Sequence, residues 1–121
     1  MVLNQDNSQN GNPQSVVGAK PAGRGSVIQI FATGGGETTP SLIPGEAAPA
    51  SGNPLVLTNV PPAVIIGNRT ATVFFSGMAP GFVGLWQINA QVPQDVTPDS
   101  AVQMSIAIGN IRSNTVTIAV Q

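Results

Sequence analysis

The strongest constraint on this chain is an alternation of apolar and polar residues with a period of two. Successive side chains of a β-strand point to opposite faces of the sheet, so this alternation is typical of half-buried strands. The stretches VQMSIAI and TVTIAVQ show it most clearly. Their apolar faces are Val102, Met104, Ile106 and Ile108 in the first, and Val116, Ile118 and Val120 in the second.

Four further runs are rich in apolar and β-branched residues and are bounded by Gly, Pro or Asn. They cover residues 26–34, 54–60, 63–67 and 70–77. The 14 Gly and 11 Pro lie mostly between such runs, where chain reversals need a positive or a fixed φ. No segment shows a convincing helical stripe. The sequence therefore predicts an all-β protein, an immunoglobulin-like antiparallel β-sandwich of about seven strands.

Two segments fall outside this pattern. Residues 1–14 are interpreted as an apolar N-terminal strand, Met1 to Leu3, followed by a flexible polar tether over residues 4–14. Residues 15–121 then form the sandwich domain. Within it, residues 34–54 are rich in Gly, Pro and Ala and predict a long surface loop. The stretch IGNIRSNT predicts a hairpin connection between the last two strands.

The stretch GMAPGFVGLWQINAQVP contains the only tryptophan of the chain. From Trp86 onward it alternates cleanly, which places Trp86, Ile88 and Val92 on one face. We interpret these three residues as part of the core between the sheets, where the lone Trp of such a sandwich usually packs. The alternative is an exposed aromatic platform for a ligand.

The runs VLNQD, SVIQIFATGGG, TATVFFSGMAPGFVGLWQINAQVP and SNTVTIAVQ together resemble a family of uncharacterised C-terminal domains of secreted proteins, first noticed in Solibacter and related soil bacteria. The resemblance covers nearly the whole chain. It implies an immunoglobulin-like fold of the IPT/TIG kind at the end of larger extracellular proteins, and it offers no catalytic residues to transfer. An extracellular or cell-surface location is therefore expected.

The residues that most enzymes use are missing. The chain contains no His, Cys or Tyr, which removes the common general bases, thiol nucleophiles and imidazole zinc ligands. Asp95 and Asp99 in PQDVTPDS supply too few oxygens for calcium, which prefers six to eight. We therefore expect no enzymatic activity, no cofactor and no metal.

The charge pattern narrows the range of partners. Only 7% of the residues are charged, and the formal net charge is −1. The four basic residues are far apart in sequence, so no polybasic tract is present to bind nucleic acid. No apolar run approaches the roughly 20 residues of a membrane-spanning helix, so membrane insertion is not expected either. Asn68, in the sequon Asn68-Arg69-Thr70, is a candidate glycosylation site.

A sandwich without catalytic groups still offers its sheet edges, which can accept a strand from another chain. The sequence leads us to the hypothesis of a homopolymer, a pilus-like fibre in which an N-terminal segment adds to the next subunit. The candidate interface residues are Met1, Val2, Leu3 and Asn4 at one end and Val116, Ile118 and Val120 at the other. Two alternatives stay open: the N-terminal segment folds back as the first strand of its own domain, or the protein is an adhesive module that binds surface glycans.

Overall fold

The computed structural model describes residues 1–121 and contains ten β-strands and no helix. The longest strands are β6 and β8, with ten residues each. The bounds are β1 Val2–Leu3, β2 Val27–Ala32, β3 Thr38–Thr39, β4 Leu57–Thr58, β5 Ala63–Ile66, β6 Arg69–Met78, β7 Trp86–Gln91, β8 Asp99–Ile108, β9 Ile111–Arg112 and β10 Val116–Val120.

All strand pairs are antiparallel, and the main path through the sheet runs β1-β2-β7-β6-β5-β8-β10. The long strand β6 belongs to both halves, because its first residues pair with β5 and its later residues pair with β7. A register shift between Val73 and Phe75 lies within the part that pairs with β7, soon after the part that pairs with β5. Such a bulge bends a strand and increases its twist, which lets one strand serve two differently oriented halves.

The all-β class predicted from the alternation is confirmed, and each of the predicted strand runs contains a strand. The sandwich arrangement stays a prediction, since the strands form one continuous sheet. Residues 34–54 contain only the two-residue strand β3, whereas the predicted hairpin connection contains a strand of its own, β9. The β8–β9 turn uses Gly109, whose φ of 59° suits a residue without a Cβ.

The core combines side chains from both halves of the sheet. Sixteen buried residues form one cluster, to which β7 contributes every second residue from Trp86 onward. Its members are Ala22, Ile28, Ile30, Val64, Ile66, Ala71, Trp86, Ile88, Ala90, Val92, Val96, Val102, Met104, Ile106, Ile118 and Val120. Burial of this apolar surface is the main favourable contribution to folding.

The polar tract after Leu3 is not the flexible tether that its composition predicts. Its first part folds into hydrogen-bonded turns against the domain: the Asn4 N–H donates to Ser8 O over 2.8 Å, and the Asn10 N–H donates to Val2 O over 3.0 Å. Asn4 is only 6% exposed. Polar composition suggests flexibility, but Asn and Ser side chains also bond to nearby backbone groups and stabilise turns.

Candidate functional site

The two ends of the sheet, β1 and β10, approach each other through a series of single β-bridges. Leu3 bridges to Gln9, Asn10 bridges to Lys20, and Ala22 bridges to Val120. Residues 1–11, which we call the N-terminal hairpin, therefore connect the β2 side of the sheet to the β10 side. We call the gap between these two sides the open side of the sheet. The N-terminal hairpin fills one end of it.

Strand β1 pairs with the edge of β2 that faces away from β7. Its register pairs Val2 with Ile30 and Leu3 with Gln29. The Phe31 N–H donates to Met1 O over 2.9 Å, and the N-terminal ammonium group donates to Phe31 O over 3.3 Å. The two-residue strand β1 is extended by Met1 and by the Gln5 side chain, whose Oε1 accepts the Val27 N–H over 3.0 Å, so the N-terminal segment covers the length of β2.

Asn10 closes the hairpin against β10. Its side-chain amide donates to Ala119 O over 2.9 Å, and its Oδ1 accepts from the Ala119 N–H over 2.8 Å. The same Nδ2 donates to Asn4 Oδ1 over 3.0 Å. The amide group thus pairs with the β10 edge as a neighbouring peptide group would, and it satisfies backbone groups that an edge strand leaves free.

A second set of polar contacts holds the turn of the hairpin. Asn4 Nδ2 donates to Ser8 Oγ and to Lys20 O. The side chain and the backbone N–H of Ser8 both donate to the Asp6 carboxylate, and these bonds lower the pKa of Asp6 below its ordinary value of 3.8. Lys20 adds a weaker attraction from 3.6 Å away. All of these partners belong to the hairpin or to Lys20.

An apolar cleft occupies the other end of the open side. Its volume is about 420 Å³, and its floor consists of the buried core residues Ile30, Trp86 and Met104. The rim exposes the apolar side chains of Met1, Ile111 and Val116. The fold therefore leaves a passage from the surface to the core where no strand joins the two sides.

The β10 edge beside this cleft has no neighbouring strand. The backbone of Ala119 faces outward, because it bonds to Asn10 and to the Ala22 N–H. Backbone groups alternate in direction along a strand, so the N–H and C=O of Thr117 face the same outward edge. Val116 and Ile118 instead pair with Met104 and Val102 of β8.

The sequence and the structure of this chain were compared with known proteins. No protein-family model, no curated protein and no solved structure matches it. The family resemblance therefore stays a prediction.

The candidate interface residues divide into three groups in the structure. Met1, Val2 and Val116 line the cleft, whereas Ile118 and Val120 are buried in the core cluster. Leu3 and Asn4 lie in the N-terminal hairpin. The structure shows the N-terminal segment folded back on its own β2, which is the alternative that the sequence left open.

The Trp86 side chain belongs to the core, at 4% exposure, and its Nε1 donates to Ser76 Oγ over 2.9 Å. Ile88 and Val92 are fully buried beside it. The exposed aromatic rings are instead Phe74, the residue skipped at the β6 bulge, and Phe82 in the loop before β7. The face of Trp86 is therefore not a binding platform.

The remaining candidate sites lie apart from the open side. Asn68 is exposed at the tip of the β5–β6 hairpin, where Gly67 and Asn68 both have positive φ. Asp95 lies 3.4 Å from Arg69, and Asp99 accepts the Ala101 N–H. No group of three acidic side chains is placed to hold a metal ion. A helix suited to crossing a membrane is likewise not found.

Sequence reasoning missed Asn10, which makes the contacts that connect the two sides of the sheet. Its partner Ala119 is 109 residues away, so no local pattern reveals the pair. The available signal was the density of Asn and Ser after a short apolar start, which fits capping and turn chemistry as well as it fits a linker.

Proposed function

We propose that this protein is a non-enzymatic structural subunit that assembles with copies of itself through β-strand addition at the open side of its sheet. The observation that carries the proposal is that the N-terminal segment alone covers the edge of β2 that faces away from β7. Along that edge β2 pairs with the two-residue strand β1, with Met1 before it and with the Gln5 side chain after it, and the apolar cleft opens directly beside it. Strand edges of this kind accept an extended chain through backbone hydrogen bonds.

The cleft supports the same proposal. Its rim exposes Met1, Ile111 and Val116, and a neighbouring subunit would cover this apolar surface on assembly. Removal of such surface from water contributes about 25 cal/mol for each Å², from which the loss of translational and rotational freedom on association is subtracted. The low charge of the chain also limits repulsion between stacked copies.

A link in which one face of a subunit meets a different face of the next is heterologous, and it produces an open filament unless its rotation closes a ring. We therefore propose a filament or pilus-like fibre of bacterial type. An extracellular or cell-surface location, which the family resemblance implies, fits such a fibre.

Electron microscopy of the purified protein tests this function. We expect filaments from the unchanged chain and none from Gln29→Pro, because the N–H of Gln29 faces β1 and proline cannot donate there. Thr117→Pro is the matched control, since it removes an outward N–H at the opposite edge, where no strand pairs. An unchanged chain that stays monomeric at every concentration would contradict the proposal, as would filaments of normal length from a folded Gln29→Pro protein.

A glycan-binding adhesive module is the second candidate. Phe74 and Phe82, which are 62% and 58% exposed, offer rings on which sugars can stack. Binding of the monomer to a glycan array, lost in Phe82→Ala, would favour this candidate over assembly.

A further inference from the structure

The N-terminal hairpin contacts the rest of the domain only through residues that follow a short connecting segment. Its hydrogen-bond partners outside the hairpin all lie at position 20 or beyond. These partners are Lys20, Val27, Gln29, Phe31 and Ala119. The same contacts therefore form whether the hairpin comes from the same chain or from another copy.

The connecting segment, residues 12–18, is built like a hinge. Its backbone hydrogen bonds are local: Ser15 and Val16 donate to Asn12 O, and Ala19 donates to Val16 O. Val17 is 99% exposed, so it contributes nothing to the core. Seven residues extend over roughly 23 Å, which is enough to carry the hairpin to an adjacent subunit.

We propose that copies of this chain exchange their N-terminal hairpins, so that residues 1–11 of one subunit occupy the open side of the next. This proposal rests on the proposed function, and it identifies the segment that links neighbouring subunits. In the exchanged state Val2 pairs with Ile30 of another copy in the register seen within one chain, and Asn10 binds Ala119 of that copy. Exchange of an identical element adds no new contact type, which makes it a low-cost route to assembly.

Two features set the direction of the link. Each subunit carries one hairpin to give and one open side to receive, and on exchange the hairpin leaves the open side of its own domain for that of the next. Successive exchanges therefore join the subunits head to tail. The conformation of segment 12–18 decides between folding back and exchange. The hairpin can leave its own domain only when this segment is extended.

Paired cysteines test the exchange, since the chain has no cysteine of its own. Val2 and Ile30 are opposite each other, and the hydrogen bonds of the neighbouring Met1–Phe31 pair make them a non-hydrogen-bonded pair. The closeness of such pairs suits a disulfide. We expect Val2→Cys with Ile30→Cys, oxidised after assembly, to give a ladder of covalent oligomers in denaturing, non-reducing gels.

A control and a second variant keep the test decisive. Gln29→Cys with Asn89→Cys joins β2 to β7 within one domain and should yield monomers alone. If the loss of Ile30 from the core prevents folding, Leu3→Cys with Gln29→Cys tests the same pairing of β1 with β2. These two side chains are on the face of the sheet opposite to Val2 and Ile30.

The outcomes separate the two proposals. Covalent dimers without larger species support the exchange and contradict the filament. Filaments whose subunits all carry an internal disulfide overturn the exchange and leave strand addition standing. Monomers with an internal disulfide, in a preparation without filaments, overturn both.

Discussion

Asn10 and Ala119 are 109 residues apart in sequence, yet the amide of Asn10 both donates to and accepts from the backbone of Ala119, over 2.9 and 2.8 Å. This pair fixes the N-terminal hairpin to the β10 edge. The Asn10 side chain takes the place of a neighbouring strand here. The backbone N–H and C=O of Ala119 are therefore hydrogen-bonded, whereas those of Thr117 are free.

Asn10→Ala removes the amide and leaves the N–H of the buried Ala119 without a partner, whereas the Ala119 carbonyl still accepts the Ala22 N–H. An unsatisfied buried polar group costs about 1–3 kcal/mol, so the free energy of unfolding should fall by about that amount. Denaturant unfolding followed by Trp86 fluorescence measures it. Gln14→Ala, an exposed position in the hinge, is the control and should be close to neutral.

Gly35→Ala tests the close approach of the chain to Trp86. An added Cβ would lie 2.8 Å from Cδ2 of the indole, closer than real Cβ contacts come. Overpacking of this kind costs about 1–3 kcal/mol, because the added Cβ meets the base of a large rigid ring and not the end of a flexible side chain. Gly23→Ala is the matched control, since nothing lies within 4 Å of its added Cβ. Equal stability of the two variants would contradict the packing described for Trp86.

The hairpin turn should weaken in acid. Hydrogen bonds from Ser8 lower the pKa of Asp6 in the folded protein, so its stabilising effect is present above the ordinary value of 3.8 and is lost as the pH falls through the lowered pKa. The difference in unfolding free energy between the unchanged chain and Asp6→Asn should therefore shrink toward zero in acid. A difference that grows as the pH falls would show that the Ser8 bonds do not favour the charged carboxylate.

Most of the fold was accessible from the sequence, because alternation directly reports which face of a strand is buried. Trp86, Ile88 and Val92 are on the core face where the period of two places them. The N-terminal tract was not accessible. Its folding depends on Asn4 and Asn10, whose partners are determined by the tertiary structure and not by neighbouring residues.

The sequence also failed to show where the sheet stays open. Val116, Ile118 and Val120 share one face by period, and yet Val116 lines the cleft while the other two are buried. The difference depends on where the N-terminal hairpin ends along the open side, which is a property of the assembled sheet. Strand patterns describe faces well and edges poorly.

In the proposed exchange, copies of this chain are linked by the strand that each folds onto itself in the structure. Mixed single-cysteine subunits distinguish exchange from folding back: one carries only Val2→Cys and the other only Ile30→Cys, and they are oxidised after joint assembly. We predict disulfide-linked heterodimers, identified by mass, in which position 2 of one subunit is bonded to position 30 of the other. If the thiols stay free while the mixture assembles, the N-terminal hairpin does not pass between subunits and the proposed exchange is wrong.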